Sequence, residues 1–274
     1  HFTDRRQRQM CIRDSVICIA ETKSIPPRIP GYSEWHMGNK RERYDGGGVA
    51  IAVREDIEKE SQPVEDLETQ DQEVAWIQIN TKGKKKISVG VYYGKQEKDP
   101  RDYVEREFSQ LRTQITKLKN EGPIILVGDF NAKLKVEKQG IKQEMSRNGE
   151  LLQDLLDQTD MYPISLVSQT GTWTWENRHN PQQKSIIDYM LINRENANQI
   201  EENIVDEAGY LRAEGSKQSD HNTMFIRHKI DIPRKERTIK KWRTKNKEGW
   251  KNFNELMHEL HEETLNNYDE FEKK

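Results

Sequence analysis

The sequence is poor in cysteine, in long apolar runs and in net charge, and each shortage excludes a class of protein. Two cysteines, Cys11 and Cys18, in 274 residues are too few for a disulfide framework or a four-thiolate zinc site. No apolar run approaches the ~18 residues of a membrane span, and no stretch of signal-peptide character precedes Val16. We therefore expect a chain without a membrane segment, in a reducing intracellular compartment.

The charge balance limits the kinds of partner that we expect, and the apolar content limits the share of the chain that can form a core. The 45 Lys and Arg residues nearly cancel the 47 Asp and Glu residues, which gives a formal net charge of -2. Total charge therefore does not indicate a polyanionic partner, and any basic surface must be local. Apolar residues make up 32% of the chain, well below the ~45–50% of a typical globular domain even when glycine is added. Part of the chain is expected to lie outside the core.

Short apolar runs and two amphipathic stretches predict the fold class. Seven runs rich in β-branched residues are typical of strands, at positions 16–19, 48–53, 74–79, 87–93, 124–127, 186–192 and 223–226. Two stretches carry apolar residues on one helical face: Val104, Phe108, Leu111, Ile115 and Leu118 in the first, and Leu151, Leu152, Leu155 and Leu156 in the second. Mixed strands with few helices predict an α+β layered sandwich of two packed sheets flanked by helices.

The composition divides the chain into three segments. Residues 16–232 hold all the strand candidates. Nine basic and two acidic residues lie in 234–251 and an acidic stretch follows, which predicts a basic linker and a polar helix over 233–274. Residues 1–15 lack a clear strand or helix pattern and are either native or a translated sequencing adapter, two alternatives that the sequence leaves open. We interpret the chain as a fragment of a longer protein.

Polar side chains stand where the predicted strands begin or end, and such rigid positions converge on clefts. They are Glu21, Asp129, Asn131, Asp188, Asp220 and His221. Because Asp129 and Asn131 are two residues apart, they share one side of an extended segment. Carboxylates from different strand ends suit a hard divalent cation such as Mg²⁺. A histidine beside them completes a hydrolytic set.

Each of these residues also has a purely structural alternative. The run Gly-Asp-x-Asn at 128–131 is a common turn former. Asp188 would also serve as the partner of a nearby basic residue, and 219–221 as a capped turn. Their joint occurrence at strand ends favours a functional site.

The ordered motifs resemble a known family. They are IAETK at 19–23, GGVAI at 47–51, GVYY at 90–93, VGDFN at 127–131, IDY at 187–189 and SDH at 219–221. This set resembles the endonuclease/exonuclease/phosphatase family and, within it, the endonuclease domain of non-LTR retrotransposon polyproteins or a domesticated copy of one. The resemblance implies a deoxyribonuclease I-like, four-layer α/β-sandwich over 16–232, followed by a segment that leads towards a reverse transcriptase. It also implies that the family's first strand, which carries an asparagine, is missing here.

The resemblance implies a metal and a water-activating group. Glu21 would bind the catalytic Mg²⁺, or Mn²⁺ as an alternative, and Asp220 would contribute to the same metal region. Asp129 would align or deprotonate the attacking water. Asn131 would hold the scissile phosphate.

It also implies contacts to phosphate and to DNA. His221, paired with Asp188, and Tyr92 would contact the phosphate, because each falls at a position where the family has such a group. The DNA backbone would meet Thr172, and the basic segment would add Lys240, Lys241 and Arg243. The expected partner is DNA, the expected form a monomeric domain of a larger polyprotein, and the nuclear location follows from that role.

Three functions remain in competition. The first is a Mg²⁺-dependent endonuclease that nicks DNA, weakened in this fragment by the missing first strand. The second is a phosphatase or phosphodiesterase on another phosphate ester, since a fold does not fix the leaving group. The third is a catalytically degenerate module that binds nucleic acid or protein.

Overall fold

The computed structural model describes residues 15–39, 47–70, 72–83, 85–138, 141–168, 170–208 and 219–233. The predictions for residues 1–14, for the basic linker and polar helix, and for Lys240, Lys241 and Arg243 therefore lie outside the described residues.

Fifteen strands and two α-helices make up the described part. The strands are β1 (Val16–Ala20), β2 (His36–Met37), β3 (Val49–Val53), β4 (Ser61–Pro63), β5 (Glu73–Asn80), β6 (Lys86–Tyr93), β7 (Ile124–Asp129), β8 (Val136–Lys138), β9 (Ile141–Gln143), β10 (Met161–Pro163), β11 (Trp175–Glu176), β12 (Lys184–Ser185), β13 (Asp188–Asn193), β14 (Ile200–Val205) and β15 (Met224–His228). The helices are α1 (Arg101–Lys119) and α2 (Arg147–Thr159). All seven predicted strands and both predicted helices are present.

A six-stranded mixed sheet forms the centre, in the order β10-β13-β7-β6-β5-β4. Its one parallel pair is β6 with β7, and α1 is the crossover between them, as a parallel connection requires. The other pairs are antiparallel. The predicted mixed sheet is therefore confirmed.

Both α-helices cover one face of this sheet. The apolar stripe of α1 is buried against alternate residues of the central strands, with Trp76 and Leu126 fully buried in the same cluster. Helix α2 begins at Ser146, whose side chain caps it by accepting from the backbone N–H of Gly149. It ends at Asp160, which adopts the left-handed conformation with φ 54°.

The opposite face of the central sheet packs on a smaller sheet of order β1-β3-β2 and on the β14–β15 pair. This second cluster, between the sheets, is built from alternate strand residues such as Ile51, Ala75, Ile125 and Met190. The described residues thus form three of the predicted layers: helices, central sheet and smaller sheet. The helix layer expected on the outer face of the smaller sheet is not among them.

Two strands over the second cluster have a single neighbour within the described ranges. β1 pairs with β3 and β15 pairs with β14. Their inward residues, among them Cys18 and Ile226, are only partly buried.

One strand of regular length was missed. β14 reads Ile-Glu-Glu-Asn-Ile-Val, and its polar residues hide the alternation that identifies a strand.

Neither α-helix of the described part is long and apolar enough to cross a membrane.

The last but one position of β7 requires glycine. Gly128 has φ 143°, and a Cβ there would come within 1.9 Å of the carbonyl oxygen of Tyr92. We predict that Gly128→Ala lowers the free energy of unfolding by at least ~2 kcal/mol, through strain and the clash. The exposed Gly83 is the matched control, since its Cβ would meet an ordinary contact at 3.8 Å. Urea unfolding followed by circular dichroism measures both variants, and equal midpoints would contradict this account of Gly128.

Candidate active site

Two aspartates lie side by side on adjacent strands of the central sheet. Asp129 ends β7, Asp188 begins β13, and the two residues are direct partners in the antiparallel register. Both are buried, with 6% and 8% of their surface exposed. Alternation along β7 and β13 places them on the same face as Ile125 and Met190, the face that meets the smaller sheet. The two carboxylates therefore lie together at one end of the space between the sheets.

His221 lies against this pair. Its Nδ1 is 3.0 Å from each carboxylate oxygen of Asp188, and Ser219 Oγ accepts from the backbone N–H of His221 at 3.1 Å. The Asp188–His221 contact implied by the resemblance is thus present. Because Nδ1 is occupied by Asp188, Nε2 is the ring nitrogen left to meet a substrate.

Charges and burial shift two pKa values in this cluster. Burial, and after it the charge of Asp188, raise the pKa of Asp129 to about 8, although His221 acts in the opposite direction. Burial acts to lower the pKa of His221, but the charge and hydrogen bond of Asp188 outweigh it and raise that pKa to about 9. For the chain without a bound cation, His221 is therefore cationic at neutral pH. Its contribution to stability is complete below pH 6.5 and is lost as the pH rises through about 9.

Asn131 is held at the edge of the cluster in an unusual conformation. Its φ is 47°, a left-handed value that is uncommon outside glycine and clusters at functional sites. Its backbone N–H donates to Asp129 Oδ1 at 2.8 Å, and its side-chain Nδ2 donates to the carbonyl oxygen of Gly94 at 3.0 Å. The predicted neighbours Asp129 and Asn131 therefore form one turn that presents a carboxylate and an amide side by side.

The two residues predicted to bind the metal, Glu21 and Asp220, have different surroundings. Glu21 follows β1 with φ 56°, it is exposed, and its carboxylate lies 3.5 Å from Lys23 Nζ. Its charge also contributes to the raised pKa of Asp129. Asp220 instead accepts from Trp175 Nε1 at 3.2 Å and lies 3.5 Å from Arg178. The charge of Asp220 likewise contributes to the raised pKa of His221, so metal binding by Glu21 and by Asp220 stays a prediction.

Tyr92 lies on the opposite face of the sheet from the two aspartates. Its ring is fully buried against Phe108 and Phe130, and its hydroxyl donates to Glu107 Oε2 at 2.9 Å. This placement corrects the expected proximity of Tyr92 to the phosphate site, because strand alternation turns its side chain towards the helices. Tyr93 faces the inter-sheet side and is the register partner of Asp129.

Thr172, which the resemblance places near the DNA backbone, is almost completely buried. It is 4% exposed, and Glu207 accepts from the backbone N–H groups of Thr172 and Trp173. A contact of its side chain with DNA remains a prediction.

Sequence reasoning missed Thr174, which sets the spacing of the Asp188–His221 pair. Thr174 is fully buried, and its Oγ1 accepts from the backbone N–H groups of Ile187 and Asp188 at 3.1 Å. The carbonyl oxygen of Thr174 accepts from Asn222 N at 2.7 Å. No local motif identifies such a residue, because its partners are distant in sequence.

A comparison of the sequence with family profiles decides the assignment. Residues 6–221 match the Endonuclease/Exonuclease/phosphatase family. The chain belongs to this family. Membership supports phosphodiester hydrolysis as its chemistry, and the cluster of Asp129, Asn131, Asp188 and His221 lies within the matched residues. No curated protein matches the chain.

Solved structures support the same fold. The endonuclease domain of TRAS1, a telomere-specific non-LTR retrotransposon, has a TM-score of 0.59 and 19% identity, covering 85% of this chain and 92% of that chain. The catalytic domain of Xenopus laevis APE2 has a TM-score of 0.61 and 16% identity, covering 82% and 87%. The AP endonuclease LMAP from Leishmania major has a TM-score of 0.62 and 14% identity, covering 80% and 79%. At these identities the likeness shows the fold.

The site also fits the divalent metal that members of the family typically use. One ligand atom each from Asp129, Asp188 and His221 lies within 4.8 Å of the others. Two neighbouring carboxylates repel each other, and a cation would relieve that repulsion. The two aspartates supply the oxygen donors that a hard cation prefers.

The pKa of His221 gives a direct test of the cluster. Asp188→Asn removes the carboxylate that raises this pKa, while the burial that lowers it remains. We predict that the pKa of His221 falls by roughly 1–3 pH units. NMR titration of the imidazole Cε1 proton, assigned with His221→Gln, measures it, and Asp220→Asn is the control with the smaller expected change. An unchanged pKa in Asp188→Asn would show that the pair does not form.

Proposed function

We propose that the chain is a divalent-metal-dependent endonuclease that nicks DNA, derived from the endonuclease domain of a non-LTR retrotransposon polyprotein. The observation that carries this proposal is the Asp188–His221 pair beside the Asp129–Asn131 turn. A carboxylate, an amide and a cationic imidazole meet there, which are the groups that phosphodiester hydrolysis needs.

In the proposed reaction each residue has one task. Asp129, in its ionised form, accepts a proton from the attacking water. The water oxygen bonds to phosphorus, and the bond from phosphorus to the 3′ oxygen breaks. The 3′ oxygen takes a proton from solvent water, and Asp129 returns its proton to solvent. The products are a 3′-hydroxyl and a 5′-phosphate.

The remaining groups stabilise charge. Asn131 donates its side-chain amide to the phosphate, and His221 offers Nε2 to the oxygens on which negative charge develops. Asp188 keeps His221 cationic and fixes its orientation. These donors are positioned before the substrate arrives, so little reorganisation is needed at the moment of reaction.

A divalent metal, Mg²⁺ or Mn²⁺, would be held by Glu21 and the carboxylates of the cluster. When bound it would neutralise charge on the phosphate and on the leaving oxygen. It would also lower the pKa of Asp129 and keep that group ready to accept a proton.

The proposal includes the origin of the chain and its location in the cell. The likeness in fold to the endonuclease domain of TRAS1, a telomere-specific non-LTR retrotransposon, supports this origin. We therefore propose that the chain acts in the nucleus on DNA.

Conversion of supercoiled plasmid to open circle tests the activity. We predict nicking that needs Mg²⁺ and stops with EDTA, and losses of at least ~100-fold in Asp129→Asn and His221→Ala, because each removes a group of the reaction. Asp157→Asn is the matched control, since Asp157 lies exposed on α2 and accepts from Gln153. DNA ligase should reseal the nicks, because it requires a 3′-hydroxyl and a 5′-phosphate.

Two outcomes contradict the proposal. Nicking that persists in both site variants would come from a contaminant or from another site. A folded wild-type chain that binds DNA and does not nick it would favour the binding module instead.

Metal binding can be measured without activity. We predict that Mg²⁺, compared with K⁺ at equal ionic strength, stabilises the folded chain by about 1.4 kcal/mol at a tenfold excess over its dissociation constant. Glu21→Gln and Asp129→Asn should reduce the shift in melting temperature, whereas Asp157→Asn should leave it unchanged. An equal shift in all variants would place the cation elsewhere.

A further inference from the structure

A buried asparagine near the start of α2 has no role in the reaction proposed above. Asn148 is fully buried at the second helical position, although Ser146 already caps the helix and asparagine is a poor helix former. A buried amide is costly unless it is hydrogen-bonded. The reason for this residue must therefore lie in the contacts of its side chain.

Those contacts join two loops of the site. Asn148 Nδ2 donates to the carbonyl oxygen of Lys95 at 3.0 Å and to that of Asn131 at 3.1 Å. One loop follows β6 and the other follows β7. The backbone N–H of Asn148 also donates to Glu97 Oε1 at 2.9 Å, which attaches the first loop a second time.

The same two loops are joined again at the site. Asn131 Nδ2 donates to the carbonyl oxygen of Gly94, and the backbone N–H of Gly94 donates to the carbonyl oxygen of Asp129 at 2.8 Å. Hydrogen bonds therefore form a closed ring through Asn148, Lys95, Gly94 and Asn131. Such a ring fixes the left-handed backbone of Asn131, a conformation that needs support from its surroundings.

Close contacts of the residues next to this ring restrict its movement. A Cβ on Gly94 would come within 2.6 Å of the carbonyl oxygen of Phe130, and one on Gly149 within 1.9 Å of that of Lys133. Lys95 is anchored by Nζ, which donates to the buried Glu107 at 2.7 Å. The loops thus approach each other closely, and the side chain of Asn148 joins them in addition to that of Asn131.

We propose that Asn148 is a positioning residue for Asn131: it holds the amide that meets the scissile phosphate and does not itself touch substrate. The proposal rests on the endonuclease function proposed above. Since Asn148 is fully buried, its effect must pass through the two loops.

Kinetics of plasmid nicking test this with a double-mutant cycle. Asn148→Ala should lower kcat by at least ~10-fold with little change in KM, because small displacements of a group at the reacting centre are costly. In an Asn131→Ala background the same substitution should have no further effect, because both act through one amide. Losses that multiply in the double variant, or a change confined to KM, would overturn the proposal.

NMR of the chain labelled with ¹⁵N-asparagine gives a readout independent of activity. The side-chain amide signals of Asn131 should exchange slowly with water in the wild type and faster in Asn148→Ala. Asn203→Ala is the matched control, since Asn203 is a buried asparagine that donates to the carbonyl oxygen of Ile164 in another part of the fold. Unchanged Asn131 signals in Asn148→Ala, or an equal change in Asn203→Ala, would overturn the proposal.

The two experiments separate the possible failures. If the wild type does not nick DNA, the proposed function fails and the NMR comparison decides whether Asn148 holds Asn131. If the wild type nicks and Asn148→Ala retains full kcat, the endonuclease stands and the positioning role is wrong.

Discussion

The site depends on two aspartates that the antiparallel pairing of β7 and β13 places directly opposite each other. Asp129 and Asp188 are register partners, and like charges in such a position destabilise a sheet. His221 offsets this repulsion by contacting Asp188, and burial keeps the pKa of Asp129 high. Asp188 is thus stabilised by the cationic His221, and Asp129 is stabilised by a bound proton or by a metal ion. A cluster kept under this electrostatic constraint is suited to proton transfer next to a charged substrate.

Much of this arrangement follows from local sequence. The strand runs and helical stripes predict the central sheet and both helices, and the positions of Asp129, Asp188 and His221 at strand ends predict that these side chains converge. The direct opposition of Asp129 and Asp188 does not follow, because it depends on a register between strands far apart in sequence. Tyr92 shows how sensitive such reasoning is: a shift of one residue moves a side chain to the other face, and the structure puts Tyr93 beside Asp129.

Residues that act through hydrogen bonds to distant main chain leave no local pattern. Thr174 holds the start of β13 and Asn148 joins two loops, yet both are ordinary polar residues in the sequence. β14 was missed for a related reason, since Glu201, Glu202 and Asn203 interrupt its alternation. These positions become visible when the fold brings together segments that are well separated in the chain.

The two sides of the cluster differ in how firmly they are held. Asp129 and Asp188 come from the centre of a six-stranded sheet, whereas Glu21 follows β1, which pairs with β3 and with no other strand among the described residues. Near the end of β15, both ring nitrogens of His228 are buried without a hydrogen-bond partner in the described structure. The layer that carries β1 and β15 is thus less constrained than the central sheet, and the proposed metal binding through Glu21 depends on that layer.

The central claim is that Asp129, Asn131, Asp188 and His221 form one phosphodiester-hydrolysing site. Its most direct test is a crystal structure with Mn²⁺ and a DNA duplex made uncleavable by phosphorothioate. The account predicts an anomalous manganese peak beside Glu21 and Asp129, and a DNA phosphate within hydrogen-bonding distance of Asn131 Nδ2 and His221 Nε2. A DNA backbone bound elsewhere, with these side chains facing solvent and no manganese beside them, would contradict it.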